Sequence, residues 1–271
     1  MLVIKLYHND MSVCAQKVRL VLDYKKIDWQ SQHLNLRAGD QFNPDFLRVN
    51  PKAVVPVLQH NQIIVTESNA IVEYLEEVSA DFPLMPEAPA LRAEVRNWLR
   101  KFDAGLHEQV AVISFCIAFR FQLLQRYPSA EALSAYIGSV KDPGRAEFLR
   151  DVLANGLASD RLQVALYSYQ KLLEEMAVAL AQSDWLVGNQ LSLADFALLP
   201  YIERLEQLQL GDWWQGLPVI SDWLTQLRAM DAYRTAINDW FNQPYIELMA
   251  AKGREAWPAL QLQIAALGNK R

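Results

Sequence analysis

The sequence predicts an α/β unit over its first eighty residues followed by an all-helical region, and three observations lead there. The opening segments alternate between period-two and 3.6-residue apolar spacing. Strand patterns vanish from Leu91 onward. Between the two regimes Pro83, Pro86 and Pro89 punctuate residues 80–90. The expected division is 1–80 as the α/β domain, 81–90 as linker and 91–271 as the helical domain, with 120–160 as an extended segment.

Taken in order, Leu2–Tyr7 alternates as a strand. Cys14, Val18, Val21 and Leu22 then share a helical face. Trp29–Leu36 reads as a second strand, and Val54–Gln59 with Gln62–Thr66 as a hairpin through His60-Asn61. Ser68–Val78 returns to helical spacing. The order is therefore strand, helix, strand, loop, strand, strand, helix. Beyond the linker, Leu91–Ser114 and Arg161–Gln182 are long helical candidates, and Leu193–Gln207 and Val219–Ala229 shorter ones. Ser192-Leu193-Ala194-Asp195 reads as a capping box, with Leu191 and Phe196 placed for a hydrophobic staple. Asp195 is therefore a structural acid. Asp142-Pro143-Gly144 predicts a break within the more polar 120–160 stretch, which forms extra helices or a flap.

Composition excludes several function classes. Across 271 residues the net charge is −5, with 52% hydrophobic and 21% charged residues. That is a globular mix without the basic excess a nucleic-acid surface needs. The start, MLVIKLYHNDMSVCAQK, has no basic leader ahead of an apolar run, and no apolar stretch approaches the roughly 20 residues of a membrane span, so no membrane partner is expected. Cys14 and Cys116 form neither a disulfide framework nor a CxxC pair, which fits a cytoplasmic chain. His8, His33, His60 and His107 lack metal-ligand spacing, so no metal is expected.

Three segments carry possible chemistry. At Tyr7–Cys14 a strand runs into a helix, whose unpaired N–H groups and dipole favour an anion such as a thiolate. A free thiol of pKa about 8.5 is mostly protonated at neutral pH, and each unit of lowering corresponds to about 1.4 kcal/mol. Ser12 is either a donor to that sulfur or an ordinary N-cap. Around Val55-Pro56, a cis bond would turn the Val55 N–H and C=O outward to pair with a peptide, and a trans proline at a strand start is the alternative. At Thr66–Asn69, Ser68 and nearby N–H groups could hold a carboxylate and Glu67 an ammonium. The bland alternatives there are a cap and a first-turn acid.

In this order and spacing the segments resemble the cytosolic glutathione transferase family, over nearly the whole chain. SVCAQKVRLVL resembles the family's catalytic loop and first helix, NPKAVVPVL its cis-proline segment, ESNAIVEYLEE its γ-glutamyl turn, and LVGNQLSLADFALLPYI its capping-box helix. The resemblance implies a thioredoxin-like N-terminal domain with glutathione as co-substrate, and an all-α C-terminal domain. Ser12 takes the position of the thiolate-stabilising serine of zeta- and theta-like members. Val55, with Pro56 cis, would bond the tripeptide backbone. Glu67 and Ser68 would receive the γ-glutamyl end, Gln41 the glycine carboxylate, and Asp103 a cross-dimer ammonium. Relatives often have glutamine or lysine where this chain has Val54, and Lys52 is the residue that would compensate. DMSVCAQKVRL is most similar to the tetrachlorohydroquinone dehalogenase branch, and the extended helical domain to that branch and the bacterial β-etherases. There Cys14 would resolve a glutathionyl conjugate through a mixed disulfide; otherwise it is a core residue. A small hydrophobic electrophile is expected against His8, Met11, Phe115 and Phe119, in a homodimer.

Overall fold

The computed structural model describes residues 4–140 and 142–268. Leu2 and Val3 of the expected first strand, and Lys141, lie outside the described residues. Packing divides the chain into two compact units. The first comprises the described part of Met1–Arg100 with Ala177–Ile202 and Val219–Asn242; the second comprises the described parts of Lys101–Met176, Glu203–Pro218 and Gln243–Arg271.

In the first unit β1 (Ile4–His8) leads into α1 (Val13–Tyr24), then β2 (Trp29–His33), α2 (Pro44–Val49), β3 (Val57–His60), β4 (Ile63–Thr66) and α3 (Ser68–Val78). The sheet order is β2-β1-β3-β4, with β2 parallel to β1 and the other pairs antiparallel. Helix α2 was not expected. It has only six residues, too few for a periodic stripe, and its cues are local: the Asn43 side chain accepts from the Asp45 N–H, and Pro44 occupies the first turn. Strand β3 begins at Val57 rather than Val54 because Asn50 Nδ2 donates to the Val54 carbonyl at 2.9 Å and holds that residue out of the ladder.

Helix α1 is enclosed along its length, since every residue from Ala15 to Leu22 is buried. It packs against α3 and against α12 (Asp231–Ala236), a helix of the same unit. Leu6, Val18, Leu20, Val21, Leu22, Val57, Leu58, Ile71, Val72 and Leu75 are fully buried and form the core. The expected linker is tied down. Buried Lys25 donates to the carbonyls of Ser79, Asp81 and Phe82 and pairs with Glu76 at 2.8 Å, while Glu76 Oε1 accepts from the Leu84 and Met85 N–H groups. Leu186–Asp195 belongs to this unit and carries the expected box in modified form: Asp195 Oδ2 accepts from Ser192 N, but Ser192 Oγ accepts from Ala194 rather than Asp195.

The remaining helices are α4 (Pro89–Lys101), α5 (His107–Ser114), α6 (Arg120–Arg126), α7 (Ala130–Ser139), α8 (Pro143–Asn155), α9 (Asp160–Leu180), α10 (Leu193–Gln207), α11 (Pro218–Arg228) and α13 (Gln243–Gly268). Leu91–Ser114 is not one regular helix: a π-type turn at Phe102–Leu106 holds Gly105 at φ 121°. Pro143 starts a helix rather than breaking one, because Asp142 caps the Arg145 N–H. Within the second unit α13 presses so closely on the end of α10 that a Cβ on Gly253 would lie 1.7 Å from the Leu208 carbonyl oxygen. Only glycine fits there. Against expectation, among the described residues one helical run, Pro89–Arg126, is long and apolar enough by length and composition to cross a membrane; half of its most apolar window is buried in the protein, as in a core helix.

Candidate functional site

The turn from β1 into α1 is rigid because its backbone is fastened from several directions. Asn9 Nδ2 donates to the Leu34 carbonyl, and Asn9 Oδ1 and Asp10 Oδ1 both accept from Met11 N. Arg19, fully buried, donates to the carbonyls of Asn9, Asp10 and Ala236 at 2.9, 3.1 and 2.7 Å. Burial lowers its pKa to about 9, partly offset by Asp23 and Asp10, so the guanidinium stays charged at neutral pH. Asn242 Nδ2 fixes the Asp10 carboxylate at 3.0 Å. On this support Ser12 is the N-cap of α1, half-buried, its Oγ accepting from Ala15 N at 3.3 Å. A hydroxyl that accepts still has its own hydrogen to give. Helix α1 has no acid in its first turn, so the positive end of its dipole is left for an outside anion. Met11 beside it is buried.

His8 does not line a pocket, which corrects the expectation from sequence. It is fully enclosed, its ring edge-on to Trp29, His33 and Trp240. Nδ1 lies 3.0 Å from an Arg19 nitrogen and Nε2 2.8 Å from Ser31 Oγ. A guanidinium only donates, so Nδ1 accepts and Nε2 carries the proton. Burial, then Arg19, then His33 push the imidazole pKa down to about 3. The unfolded chain, near 6.5, therefore binds more protons between those values. The stability His8 contributes is present above about 6.5 and is lost as pH falls toward 3. The loss expected from this residue is about 3 kcal/mol between pH 7 and 4. Urea unfolding of His8→Gln at both pH values should show a shallower decline than the wild type, and parallel declines would refute the assignment.

The second group surrounds the Val55–Pro56 bond, which is cis. The registered pairing of β3 starts at Val57, so the Val55 N–H and C=O lie outside the ladder. Lys52 and Glu67 are mostly exposed and pair with each other at 2.8 Å; Glu67's hydrogen bond, then its charge, raise the Lys52 pKa. Glu67 has φ 67°, in the left-handed region uncommon for a residue with a side chain, just ahead of Ser68, the first residue of α3. Gln41 Nε2 donates one hydrogen to the Leu36 carbonyl and keeps a second for a carboxylate, while Oε1 is enclosed without a partner.

Three residues not singled out from sequence complete this group. Lys17 is fully buried; its Nζ donates to Ser68 Oγ at 3.2 Å and Asn69 Oδ1 at 2.6 Å and lies 5.7 Å from the centre of the Tyr201 ring. Asn69 Nδ2 in turn donates to the Leu99 carbonyl. Half-buried Cys14 has its sulfur 3.6 Å from the Tyr201 hydroxyl. The available sequence cue was the pair of charges, Lys17 and Arg19, set in an otherwise apolar helix. Cys116, by contrast, is buried with its thiol pushed up to about 12, chiefly by burial. It is inert at neutral pH.

The structure thus gathers Ser12, Cys14, Gln41, Lys52, Val55, Pro56, Glu67 and Ser68 in the first unit. Asp103, Phe115 and Phe119 belong to the second. Asp103 is exposed on the π-type turn. Phe119 is buried, edge-on to Phe115, which also meets Phe148 edge-on, with Arg145 over Phe115 and Arg204 over Phe119. Among the described residues, no group of three or more His, Cys, Asp or Glu side chains is arranged to hold a metal ion.

Two models of a single family match this chain, one described as glutathione S-transferase, N-terminal domain, over residues 11–78, the other as glutathione S-transferase, C-terminal domain, over 147–226. The chain belongs to the glutathione S-transferase family. This transferase is 29% identical to glutathione S-transferase TCHQD of Arabidopsis thaliana, covering 88% of this chain and 91% of that one. It is 24% identical to the tetrachloro-p-hydroquinone reductive dehalogenase of Sphingobium chlorophenolicum, covering 86% and 95%. Among solved structures, the β-etherase LigF of Sphingobium sp. strain SYK-6 superposes with a TM-score of 0.76 at 25% identity, covering 87% of this chain and 99% of LigF. The transferase fold is a small mixed sheet domain joined to a mostly helical region.

Proposed function

We propose that this transferase binds glutathione along Val55, holds its thiolate with the Ser12 hydroxyl and the α1 N-terminus, and directs that sulfur at a small hydrophobic electrophile. The observation that carries the reading is Ser12 at the N-cap of a long buried helix with no first-turn acid, on a turn fastened by Arg19. The sulfur forms a bond to an electrophilic carbon as the leaving group departs with its electron pair; the thiol proton goes to solvent beforehand. The protein supplies orientation and a preset donor, and glutathione supplies the nucleophile. Glu67 and Ser68 receive the γ-glutamyl end and Gln41 the glycine end, while Lys52 supplies the side-chain contact that Val54 lacks. Residues 1–80 form the glutathione domain. By the family's habit the enzyme acts as a cytoplasmic homodimer, with Asp103 reaching the partner's ligand.

Calorimetric titration with glutathione, followed by conjugation assays on haloaromatic and aryl-ether electrophiles, tests this reading. Binding with turnover supports it. Absence of binding would leave a non-catalytic module of the same fold.

A second reading has its own observation, the half-buried Cys14 beside Tyr201. On reductive dehalogenation, the Cys14 thiolate attacks the sulfur of a glutathionyl–substrate conjugate. The reduced substrate leaves with the bond's electrons, and a second glutathione reduces the resulting mixed disulfide. Cys14→Ser should then stall at the conjugate, detected by mass spectrometry, while leaving simple conjugation, β-ether cleavage and cis–trans isomerisation intact. Equal rates in both chains would remove Cys14 from the chemistry.

A further inference from the structure

We propose that Lys17 is a positioning residue for the carboxylate of the γ-glutamyl group, acting through the hydroxyl of Ser68. The proposal rests on the glutathione reading above and extends it to a residue that no motif match assigns. Lys17 is fully buried, and its ammonium reaches Ser68 Oγ at 3.2 Å and Asn69 Oδ1 at 2.6 Å, both at the start of α3.

The chemistry follows from which groups can give hydrogens. An ammonium has three donors and no acceptor, so at Ser68 the oxygen must accept from Lys17. The Ser68 hydrogen is then turned away from Lys17, and Ser68, unlike Lys17, is half-buried rather than closed off. A hydroxyl that accepts from a cation is itself a stronger donor. It faces the same helix N-terminus whose backbone N–H groups favour an anion. Helix α3 has no acid in its first turn to compete for that place. Asn69 is fixed by the same ammonium on one side and by the Leu99 carbonyl on the other. Lys17 therefore sets the direction of one donor and adds a charge beneath it, without reaching the ligand.

A plain packing role and a carboxylate-positioning role separate when the ligand's carboxylate is removed. The probes are glutathione and 4-aminobutyryl-Cys-Gly, which lacks only the α-carboxylate of the γ-glutamyl group. By calorimetry, Lys17→Met is expected to weaken glutathione about 10- to 100-fold and the truncated peptide less than about 3-fold. In turnover, KM for glutathione rises while kcat at saturation holds within about 3-fold. Ser68→Ala should reproduce the selective loss, and the K17M S68A double variant should add little to it, because the two act in series. If K17M does not fold by circular dichroism, Lys17→Arg, which keeps the cation, replaces it and must retain the wild-type preference between the two peptides. Equal losses for both peptides, or an additive double variant, would overturn the role of Lys17. A wild-type chain that binds neither peptide would instead overturn the glutathione reading itself.

Discussion

Replacing Ser12 by alanine is expected to lower kcat/KM for glutathione conjugation about 100- to 1,000-fold, the size of effect seen when one preset donor to a developing or stored anion is removed. The reason lies in the geometry of the cap. Ser12 Oγ is positioned by the N–H of Ala15, and the turn carrying it is fastened by Arg19, Asn9 and Asn242. The hydroxyl therefore costs little to organise when the sulfur arrives. Without it, the helix N-terminus remains but the bound thiol titrates higher, so the acid limb of the pH–rate profile, where activity rises with thiolate, moves up by about 1–2 units. Alanine also removes the N-cap, which costs about 0.5–2 kcal/mol of stability. Ser12→Asp separates the two effects. It caps as well as serine, so its melting temperature stays near the wild type's. Yet it has no hydroxyl and brings a negative charge against the thiolate, so its activity should fall at least as far as S12A. Activity within threefold of wild type in S12A would remove Ser12 from the mechanism.

What was legible in the sequence depended on how local its cause is. Helices α3 and α10 match the expected bounds because periodicity and entrance chemistry agree there. Strand β2 stops at His33 instead of Leu36, since the ladder with β1 ends at the His8–His33 pair. Helix α13 went unseen for a different reason. Gly253 and Pro258, residues that disfavour a helix interior, lie inside it, and Gly253 is the one residue that fits against the Leu208 carbonyl. A contact between segments that distant leaves no periodic trace.

The site divides along the same line. The motif order pointed to Ser12, Val55 and Ser68, because each stands at a boundary that local chemistry marks. Lys17 and Arg19 carried only a weak cue as site residues, since a charge on an amphipathic helix ordinarily marks its wet face. Here α1 has no wet face over its middle, and the acceptors come from far along the chain, Asn69 for Lys17 and Ala236 for Arg19. His8 fails as a pocket residue through the same enclosure: once Arg19 occupies its Nδ1, the ring belongs to the foundation beneath Ser12.

The largest stability effect is expected at Asp195. Four donors end on its carboxylate: Leu186 N at 3.0 Å, and Ser192 N, Ser192 Oγ and the Trp223 indole N–H each at 2.9 Å. All are buried, and they tie the entrance of α10 to α11 and to the turn before it. Alanine strands these donors in a place water does not reach, which should cost about 3–5 kcal/mol of a total that for a chain of this kind is about 5–15. Asparagine keeps one acceptor oxygen but turns an NH2 toward the Ser192 N–H, so it should fall between wild type and alanine. Burial outweighs the four donors and raises the Asp195 carboxyl above its ordinary value. The sign therefore runs against that of His8. This residue's contribution is fullest below the unfolded value of about 4 and declines as pH rises through the raised folded one. Urea unfolding of D195A across that range should lack the decline, while activity per folded molecule stays within about twofold of wild type. If D195A matched the wild type in stability, the four donors would have to find acceptors elsewhere, and the box could not be what holds the entrance of α10.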